Sequence, residues 1–361
     1  MDGFKNIEIS NFRGIRHLSI GDFARVNVFL GHNNSGKSSI LEALMLLMGM
    51  SNPDIVQRVN SLRIRNVFSG LGDVRYIFYN LDLNNIPEIF SEQTDGISRR
   101  LKMNLTYTSD ENAKTDIPQT NIPTSETKVF LNTLEMNFDV VSGERTDSYR
   151  SIVTFNNQGV VSNRDYAKGY LEKNSASFLS ADLMTSNLAA DLAELIKRKK
   201  KDLILERLRK FDDRINAIEV IGHEVFIGFD GMAELLPLNI TGDGLRRYLS
   251  IVASSANPTN NIVLIDEIDN GLHYSAYKKL WESIFALAVD TNKQVFITTH
   301  SQETLLQLCQ MLEDNAPYQD AFRLYTIEQT PKKDHQAYKY LFEEFKDACQ
   351  NDVELRSIVL S

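Results

Sequence analysis

The chain of 361 residues contains two cysteines, Cys309 and Cys349, and they form no C-x-x-C pair. Their number and spacing disfavour a zinc site and are typical of a reducing compartment. The six histidines are scattered along the sequence, so no metal-binding cluster is expected.

Long apolar runs are also missing. The longest apolar stretch near the start, Ile40 to Met50, is too short to span a bilayer. Residues 1–5 lack the apolar segment of a signal peptide. We therefore expect a cytoplasmic protein.

Positive charge is in deficit, with 39 Lys and Arg against 48 Asp and Glu and a net charge of −9. The whole molecule is therefore not attracted to nucleic acid, and DNA contact would need a local basic patch. The sharpest such patch is Lys197, Arg198, Lys199, Lys200 and Lys201. We interpret it as a solvated helix face, with a DNA-contacting surface as the alternative.

A glycine-rich loop follows the apolar run 26–30 and precedes a helix-like segment. It matches the P-loop pattern G-x-x-x-x-G-K-[ST] at every position, as Gly31-His32-Asn33-Asn34-Ser35-Gly36-Lys37-Ser38. Its two glycines let the backbone wrap round a phosphate, and the helix start adds N–H groups. Lys37 is expected to reach the β and γ phosphates, and Ser38 to ligate Mg²⁺. The loop predicts a nucleoside triphosphate site.

Two acidic residues end a second apolar run, residues 261–265. Such a run is typical of a buried parallel strand, and ligands bind at the carboxyl edge of an open α/β sheet. Asp266 is therefore the expected partner for Mg²⁺, and Glu267 the expected general base for the attacking water.

Two further segments predict contacts with the nucleotide. The apolar run 295–299 ends at His300, which we expect to contact the γ phosphate. A glycine-rich helix start is a possible anion site, with a turn and helix cap as the alternative, and it reads Thr241-Gly242-Asp243-Gly244-Leu245-Arg246-Arg247.

The sequence predicts an α/β protein whose core is built from both ends of the chain. We place the amino-terminal part of the core at 1–170, a helical insertion at 171–217, and the carboxyl-terminal part at 218–361. One strand is expected between residue 15 and the P-loop, and residues 181–211 and 342–361 are expected to be mainly helical. The other predicted strands are 7–12, 101–107, 136–141, 151–155 and 218–229, and 109–125 is predicted to be an exposed loop.

The order of these motifs resembles that of ABC-type ATPases of the RecF/SMC branch, and more narrowly the OLD-family ATPases. The segments that carry this resemblance are 11–14, the P-loop, 242–247, 265–273 and 298–301, the fourth of which includes a D-loop-like Asp269-Asn270-Gly271-Leu272-His273. The resemblance implies an ABC-type ATPase core with a mixed β-sheet.

It also implies a head-to-head dimer in which the P-loop of one subunit and the glycine-rich signature of the other enclose ATP. Arg246 and Arg247 would support the signature edge, and Asn11 and Arg13 would lie close to the nucleotide. The expected cofactor-binding residues are then Asn11, Arg13, Gly31, Asn33, Asn34, Ser35, Gly36, Lys37, Ser38, Ser39, Thr241, Gly242, Asp243, Gly244 and Asp269. The catalytic set is Lys37, Glu267 and His300, and the metal ligands are Ser38 and Asp266.

Three features depart from the family pattern. The signature lacks the serine and paired glycines of transporter ATPases, and Thr241 stands where the serine would be. Neither Gln57 nor Gln93 lies in a convincing context for a Q-loop, for which we favour residues 79–82. About sixty residues follow His300, too few for the TOPRIM nuclease domain of many OLD proteins, so we predict no nuclease activity.

The leading functional hypothesis is an ATP- and Mg²⁺-dependent ATPase that acts as a switch or scaffold for a separate effector, such as a nuclease or toxin, in prokaryotic phage defence. The alternative is a DNA-binding ATPase of the RecF/SMC type. A transporter ATPase subunit ranks third because the transporter-type signature is missing.

Overall fold

The computed structural model describes residues 3–63, 74–110, 129–156, 161–172, 174–180, 188–330 and 334–356. The strands in these ranges are β1 (Asn6–Phe12), β2 (Ile15–Gly21), β3 (Val26–Leu30), β4 (Glu88–Glu92), β5 (Ile97–Asp110), β6 (Val129–Ser142), β7 (Arg145–Asn156), β8 (Val161–Asp165), β9 (Ala176–Leu179), β10 (Ile215–Ile221), β11 (Glu224–Phe229), β12 (Leu236–Pro237), β13 (Ile262–Ile265), β14 (Gln294–Thr298), β15 (Phe322–Gln329) and β16 (His335–Tyr340).

Eight α-helices accompany these strands in the described part of the chain. They are α1 (Lys37–Met48), α2 (Ile55–Ser61), α3 (Leu188–Lys197), α4 (Lys201–Phe211), α5 (Asp243–Ala256), α6 (Tyr277–Asp290), α7 (Gln302–Asp314) and α8 (Phe342–Gln350). None of the described helices is both long and apolar enough to cross a bilayer.

The central sheet has six strands in the order β16-β15-β3-β14-β13-β9. Strands β9, β13, β14, β3 and β15 are parallel, and β16 pairs antiparallel with β15 at one edge. Strands β3, β13 and β14 of this sheet are buried along their whole length, as their continuous apolar sequences predict. All the predicted strand-end residues therefore meet at one edge of this sheet.

A second, antiparallel sheet packs over the first, in the order β2-β1-β4-β5-β6-β7-β8. Helix α1 lies between the two sheets, and all its residues except Ser38 are buried. Side chains alternate along β3, so that Phe29 packs towards α1 while Val28 packs towards the helices on the other face. The P-loop helix is thus enclosed by core on both sides.

The structure corrects several sequence-based boundaries. Two strands, β2 and β3, replace the one expected before the P-loop, and residues 218–229 fall in a hairpin of β10 and β11 instead of one strand. The segment predicted as a helical insertion contains β9, which joins the edge of the central sheet by parallel pairing with β13. Of the predicted loop, residues 109–110 end β5 and 111–125 lie outside the described residues, as do 181–187 of the predicted helical region and 357–361 of the tail.

Candidate nucleotide site

The P-loop leaves β3 and wraps back on itself before α1 begins. Asn34 (φ 65°) and Gly36 (φ 92°) adopt left-handed backbone conformations, which turn successive N–H groups towards one point. A Cβ on Gly31 would lie 2.4 Å from the carbonyl oxygen of Ile327, so this position accepts no side chain. The first N–H groups of α1 have no intrahelical acceptor, and together with the loop they form an anion cradle.

Lys37 is the first residue of α1, and its side chain folds back over the loop. Its Nζ donates to the carbonyl oxygens of Gly31 and His32, each at 2.8 Å. Burial lowers the pKa of Lys37, and the carboxylates of Asp266, Glu267 and Asp269 oppose this shift. The predicted phosphate-binding lysine therefore lies within the field of all three acidic residues.

The predicted metal ligands are in direct contact. The hydroxyl of Ser38 donates to Oδ1 of Asp266 at 2.8 Å, and the hydroxyl of Thr298 donates to the same oxygen at 2.6 Å. Thr298 also accepts the backbone N–H of Glu267 at 2.8 Å. Residues from β3–α1, β13 and β14 thus converge on one carboxylate.

The turn after β13 holds Glu267 in an unusual backbone conformation, with φ 48°. Left-handed backbone at a non-glycine residue is unfavourable and persists only where neighbours fix it. Thr298 binds the N–H of Glu267, and the buried guanidinium of Arg247 donates to its carbonyl at 3.2 Å and to that of Asp266 at 2.6 Å. Both the N–H and the carbonyl of Glu267 are therefore hydrogen-bonded to buried side chains.

The D-loop residue Asp269 lies beside the end of β14. Its Oδ1 accepts the hydroxyl of Thr299 at 2.6 Å, and its Oδ2 lies 4.0 Å from Nε2 of His300. The side chain of His300 is 47% exposed. His300 and Asp269 therefore stand together at the rim, where His300 is open to a ligand from outside.

The signature segment is at the start of α5. The hydroxyl of Thr241 donates to the carbonyl of Leu238 at 2.7 Å, while Gly242 and Asp243 are exposed. Gly244 packs closely on the D-loop, since a Cβ added there would lie 3.4 Å from the carbonyl of Gly271. The signature and the D-loop therefore share one exposed edge.

Three of the residues expected near the nucleotide have partners within the chain. Arg13 forms a 2.5 Å ion pair with the buried Glu42 of α1, and Ser39 accepts a 3.2 Å hydrogen bond from Arg63, which also binds Glu42. The amide of Asn11 donates to the carbonyl of Ile86 at 3.4 Å. The structure thus brings Arg13 and Ser39 together at the P-loop helix through Glu42 and Arg63, neither of which the sequence singled out.

The structure locates one Q-loop candidate, Gln93, and the favoured segment 79–82. Gln93 bridges to Phe4, whose N–H binds Gln294 at the amino end of β14, opposite to the end that carries His300. In the favoured segment 79–82, Asn80 adopts a left-handed conformation and lines a cleft with Arg13 and Arg63.

Of the residues that shape this site, Thr298, Thr299 and Arg247 were not assigned these contacts from the sequence. The threonines end an apolar strand, and a hydroxyl at that position is the signal that could have identified them. Arg247 offers no comparable signal, because its neighbour Arg246 has the same side chain and is partly exposed.

Comparison with known proteins shows the family to which this chain belongs. Residues 26–306 match the model of the family described as "AAA domain, putative AbiEii toxin, Type IV TA system". The chain belongs to this family. The match runs from β3 into α7 and includes the P-loop, the signature and the ends of β13 and β14, so the predicted P-loop ATPase domain is confirmed. The predicted α/β fold is confirmed by the sheets and helices described above.

The chain is also similar to an "ATP/GTP phosphatase" of Helicobacter pylori (strain ATCC 700392 / 26695), at 27% identity over 333 residues that cover 86% of this chain and 88% of the relative. Among solved structures, an SmcHead bound to the C-winged helix domain of ScpA aligns with a TM-score of 0.48 at 11% identity, covering 94% of this chain and 98% of that one. An Smc head domain with an extended coiled coil, bound to the C-terminal domain of ScpA from Pyrococcus furiosus, also gives 0.48 at 11% identity, covering 98% and 100%.

Proposed function

We propose that this protein hydrolyses ATP with Mg²⁺ and uses the nucleotide to switch its grip on a separate effector protein. The observation that carries the ATPase part is the contact between Ser38 at the start of α1 and Asp266 at the end of β13, 2.8 Å apart. A P-loop serine beside a strand-end carboxylate supplies the two hard oxygen ligands of a nucleotide-bound Mg²⁺. The Helicobacter relative's name, ATP/GTP phosphatase, supports the same reaction class.

The donor set fits a magnesium ion that is shared with the nucleotide. In the described part of the chain, no group of three or more His, Cys, Asp or Glu side chains could hold a metal alone. The ion would therefore take its other ligands from phosphate and water, as Mg²⁺ commonly does. When bound, it would neutralise charge on the β and γ phosphates.

The side chains divide the remaining work among them. Lys37 and the N–H groups of the P-loop hold the phosphates, because the positive ammonium and the inward-pointing N–H donors attract the negative triphosphate. Glu267 takes a proton from the attacking water, and its anchored backbone keeps the carboxylate in one place. His300, exposed beside Asp269, contacts the γ phosphate.

The effector part of the proposal rests on the family of the chain and on the catalytic residues that its sequence carries. The family description names a putative toxin of a type IV toxin–antitoxin system. The sequence carries no second catalytic constellation, so we infer that ATP drives or restrains a separate nuclease or toxin in phage defence in the cytoplasm. The exposed signature edge supports assembly with a second copy of the chain.

The basic run gives little support to the alternative of DNA binding. Lys197 and Arg198 both pair with Glu194, and Lys201 pairs with Glu219. Three of the five basic side chains are thus paired with two carboxylates, which favours a solvated helix face, and Lys199 and Lys200 keep a DNA-contacting surface as the alternative.

Two variants test the ATPase. Lys37→Ala should abolish binding of ATP and GTP, whereas the exposed control Lys168→Ala should bind normally. Glu267→Gln should bind nucleotide without turning it over, and its molar mass should rise with ATP and Mg²⁺ as the closed dimer accumulates. Normal hydrolysis by Glu267→Gln would contradict the assignment of the base.

Co-expression with the product of the neighbouring gene tests the effector. The two proteins should co-purify, and a chain that always purifies alone with full biological activity would contradict this part of the proposal.

A further inference from the structure

The two cysteines of the chain, which are far apart in the sequence, lie side by side in the structure. Cys309 is on α7 and Cys349 is on α8, and the thiol of Cys349 donates a hydrogen bond to the sulfur of Cys309. Glu313, one turn after Cys309, lies 3.5 Å from the amine of Lys346 and accepts the amide of Gln350 at 3.3 Å. The packing of α7 on α8 therefore brings the two thiols together.

The two cysteines differ in exposure. Cys309 is 5% exposed and belongs to the hydrophobic core, whereas Cys349 is half-buried at the margin of that core. Cys349 also lines a small cleft with Asp352 and with Leu306, which is 44% exposed. This cleft gives a small oxidant such as hydrogen peroxide a route to the pair.

The hydrogen bond between the thiols favours their oxidation. The S–H of Cys349 stabilises a thiolate on Cys309 and lowers the pKa of Cys309, against the effect of burial. The carboxylate of Glu313 opposes this shift, and the ammonium of Lys346 supports it. The thiolate is the reactive form of cysteine, and a disulfide forms when a second sulfur is in contact with it.

We propose that Cys309 and Cys349 form a redox-active dithiol, which hydrogen peroxide converts into a disulfide between α7 and α8. In this step the two S–H bonds and the O–O bond break, and one S–S bond forms. The two sulfur atoms are oxidised, the peroxide is reduced, and both protons leave in two molecules of water. No other thiol of the chain competes, because these two cysteines are the only ones in the sequence.

The disulfide would join two segments that border the nucleotide site. Helix α7 starts directly after His300 and the capping residue Ser301. Beyond α8, the carbonyl of Leu355 accepts the hydroxyl of Thr326 at 2.6 Å, and Thr326 pairs with Leu30, the residue before the P-loop. The bond would therefore restrain the helix after His300 against the segment beside the P-loop. We expect it to slow turnover, an effect that rests on the proposed ATPase activity.

The competing explanation is that both cysteines are ordinary packing residues, since a free cysteine often fills a core as a small apolar side chain. Under that explanation, both thiols stay reduced when peroxide is added to the folded protein, or Cys349 alone is oxidised to a sulfinic acid. Under ours, the two thiols disappear together and the chain loses the mass of two hydrogen atoms.

Peroxide treatment of the folded wild type, followed by intact-mass analysis and thiol titration, tests the disulfide without any nucleotide. We expect both thiols to be lost within one chain and to return with dithiothreitol. Cys349→Ser is the matched control, because it keeps all nine methionines, which peroxide also oxidises, and removes only one thiol. It should not lose the two hydrogen atoms. Thiols that persist in the wild type, a sulfinic acid, or a disulfide between two chains would overturn the proposal.

ATP turnover before and after oxidation tests the effect on the nucleotide site. The oxidised wild type should be at least about threefold slower and should recover on reduction, whereas Cys349→Ser should stay within about twofold under the same treatment. Equal rates for the reduced and oxidised wild type, or an equal loss in both proteins, would overturn this effect. If the reduced wild type does not hydrolyse ATP, the proposed function fails, while mass and thiol titration still decide whether the disulfide forms.

Discussion

The guanidinium of Arg247 donates to the backbone carbonyl of Asp266 at 2.6 Å. Arg247 is in the second turn of α5, which starts at the signature, and Asp266 ends β13 at the predicted metal site. One buried side chain therefore joins the helix expected to meet a second subunit to the turn expected to carry out hydrolysis. A displacement of α5 would move this turn directly.

We expect Arg247→Met to separate binding from turnover. The P-loop does not contact Arg247, so affinity for ATP should stay within about twofold, while turnover falls at least about tenfold because the Glu267 turn loses an anchor. Three carbonyls also lose a buried donor, and an unsatisfied buried group costs about 1–3 kcal/mol. Nucleotide titration, steady-state ATPase rates and urea unfolding measure the three effects.

Arg145→Met is a suitable control, since the side chain of Arg145 is 77% exposed on β7 and pairs with Asp147. It should match the wild type in all three assays. If Arg247→Met hydrolyses ATP at the wild-type rate, the link between α5 and the turn has no role in catalysis.

Thr298→Val tests the hydroxyl that joins Asp266 to Glu267. Valine keeps the shape of threonine but removes the 2.6 Å bond to Asp266 and the acceptor for the N–H of Glu267. We expect turnover to fall by about 10- to 100-fold and the Mg²⁺ concentration for half-maximal activity to rise. Activity measured across a magnesium series checks both effects.

Thr299→Val provides a matched comparison, because its hydroxyl binds Asp269 at 2.6 Å in the D-loop. It should lower turnover without changing the magnesium requirement. Equal magnesium profiles for the two variants would show that Thr298 does not orient the metal ligand.

The parts of the site that could be predicted from sequence are those encoded by neighbouring residues. A glycine-rich loop before a helix and a carboxylate after an apolar run each fix a local structure, so the P-loop and the Asp266 turn could be located in advance. Long-range contacts could not be predicted in this way. Arg246 and Arg247 are identical in type, and the 100° step between successive helix residues sends one outwards and the other into the core.

Strand boundaries were missed for the same reason. The break between β2 and β3, and the hairpin of β10 and β11, depend on which sheet each strand joins, and a short apolar run does not specify this. Arg13 was expected near the nucleotide, and its partner Glu42 could not be foreseen because an acidic residue in a helix usually faces solvent.

The buried carboxylate of Glu42 should make a large contribution to stability. It is 2% exposed and pairs with Arg13 at 2.5 Å and with Arg63 at 2.6 Å. Glu42→Ala leaves the buried guanidinium of Arg13 without its ion-pair partner, so we expect the free energy of unfolding to fall by about 3–5 kcal/mol. Urea unfolding measures this loss.

Arg13→Ala and the double variant complete a thermodynamic cycle. A coupling energy of about 1–3 kcal/mol is expected for residues in direct contact. Additive effects would contradict a structural role for the pair.

The buried amine of Lys293 should make the free energy of unfolding depend on pH. Its side chain is 2% exposed, and its Nζ donates to the carbonyls of Asn257 and Ser254 at the end of α5. Burial, with help from Lys200 and against Asp191, lowers the pKa of Lys293 from 10.5 to about 7. Between these two values the unfolded chain binds more protons than the folded one.

The free energy of unfolding of the wild type, relative to Lys293→Met, should therefore rise with pH from about 7 to about 10.5, by at most about 1.4 kcal/mol per pH unit. Below pH 7 the difference should be constant, because the amine is then protonated in both states. Urea unfolding of the two proteins at several pH values measures it, and Lys168→Met, exposed on the surface, should show no such rise. A constant difference across the whole range would mean that Lys293 stays charged in the folded protein, stabilised by the carbonyls at the end of α5.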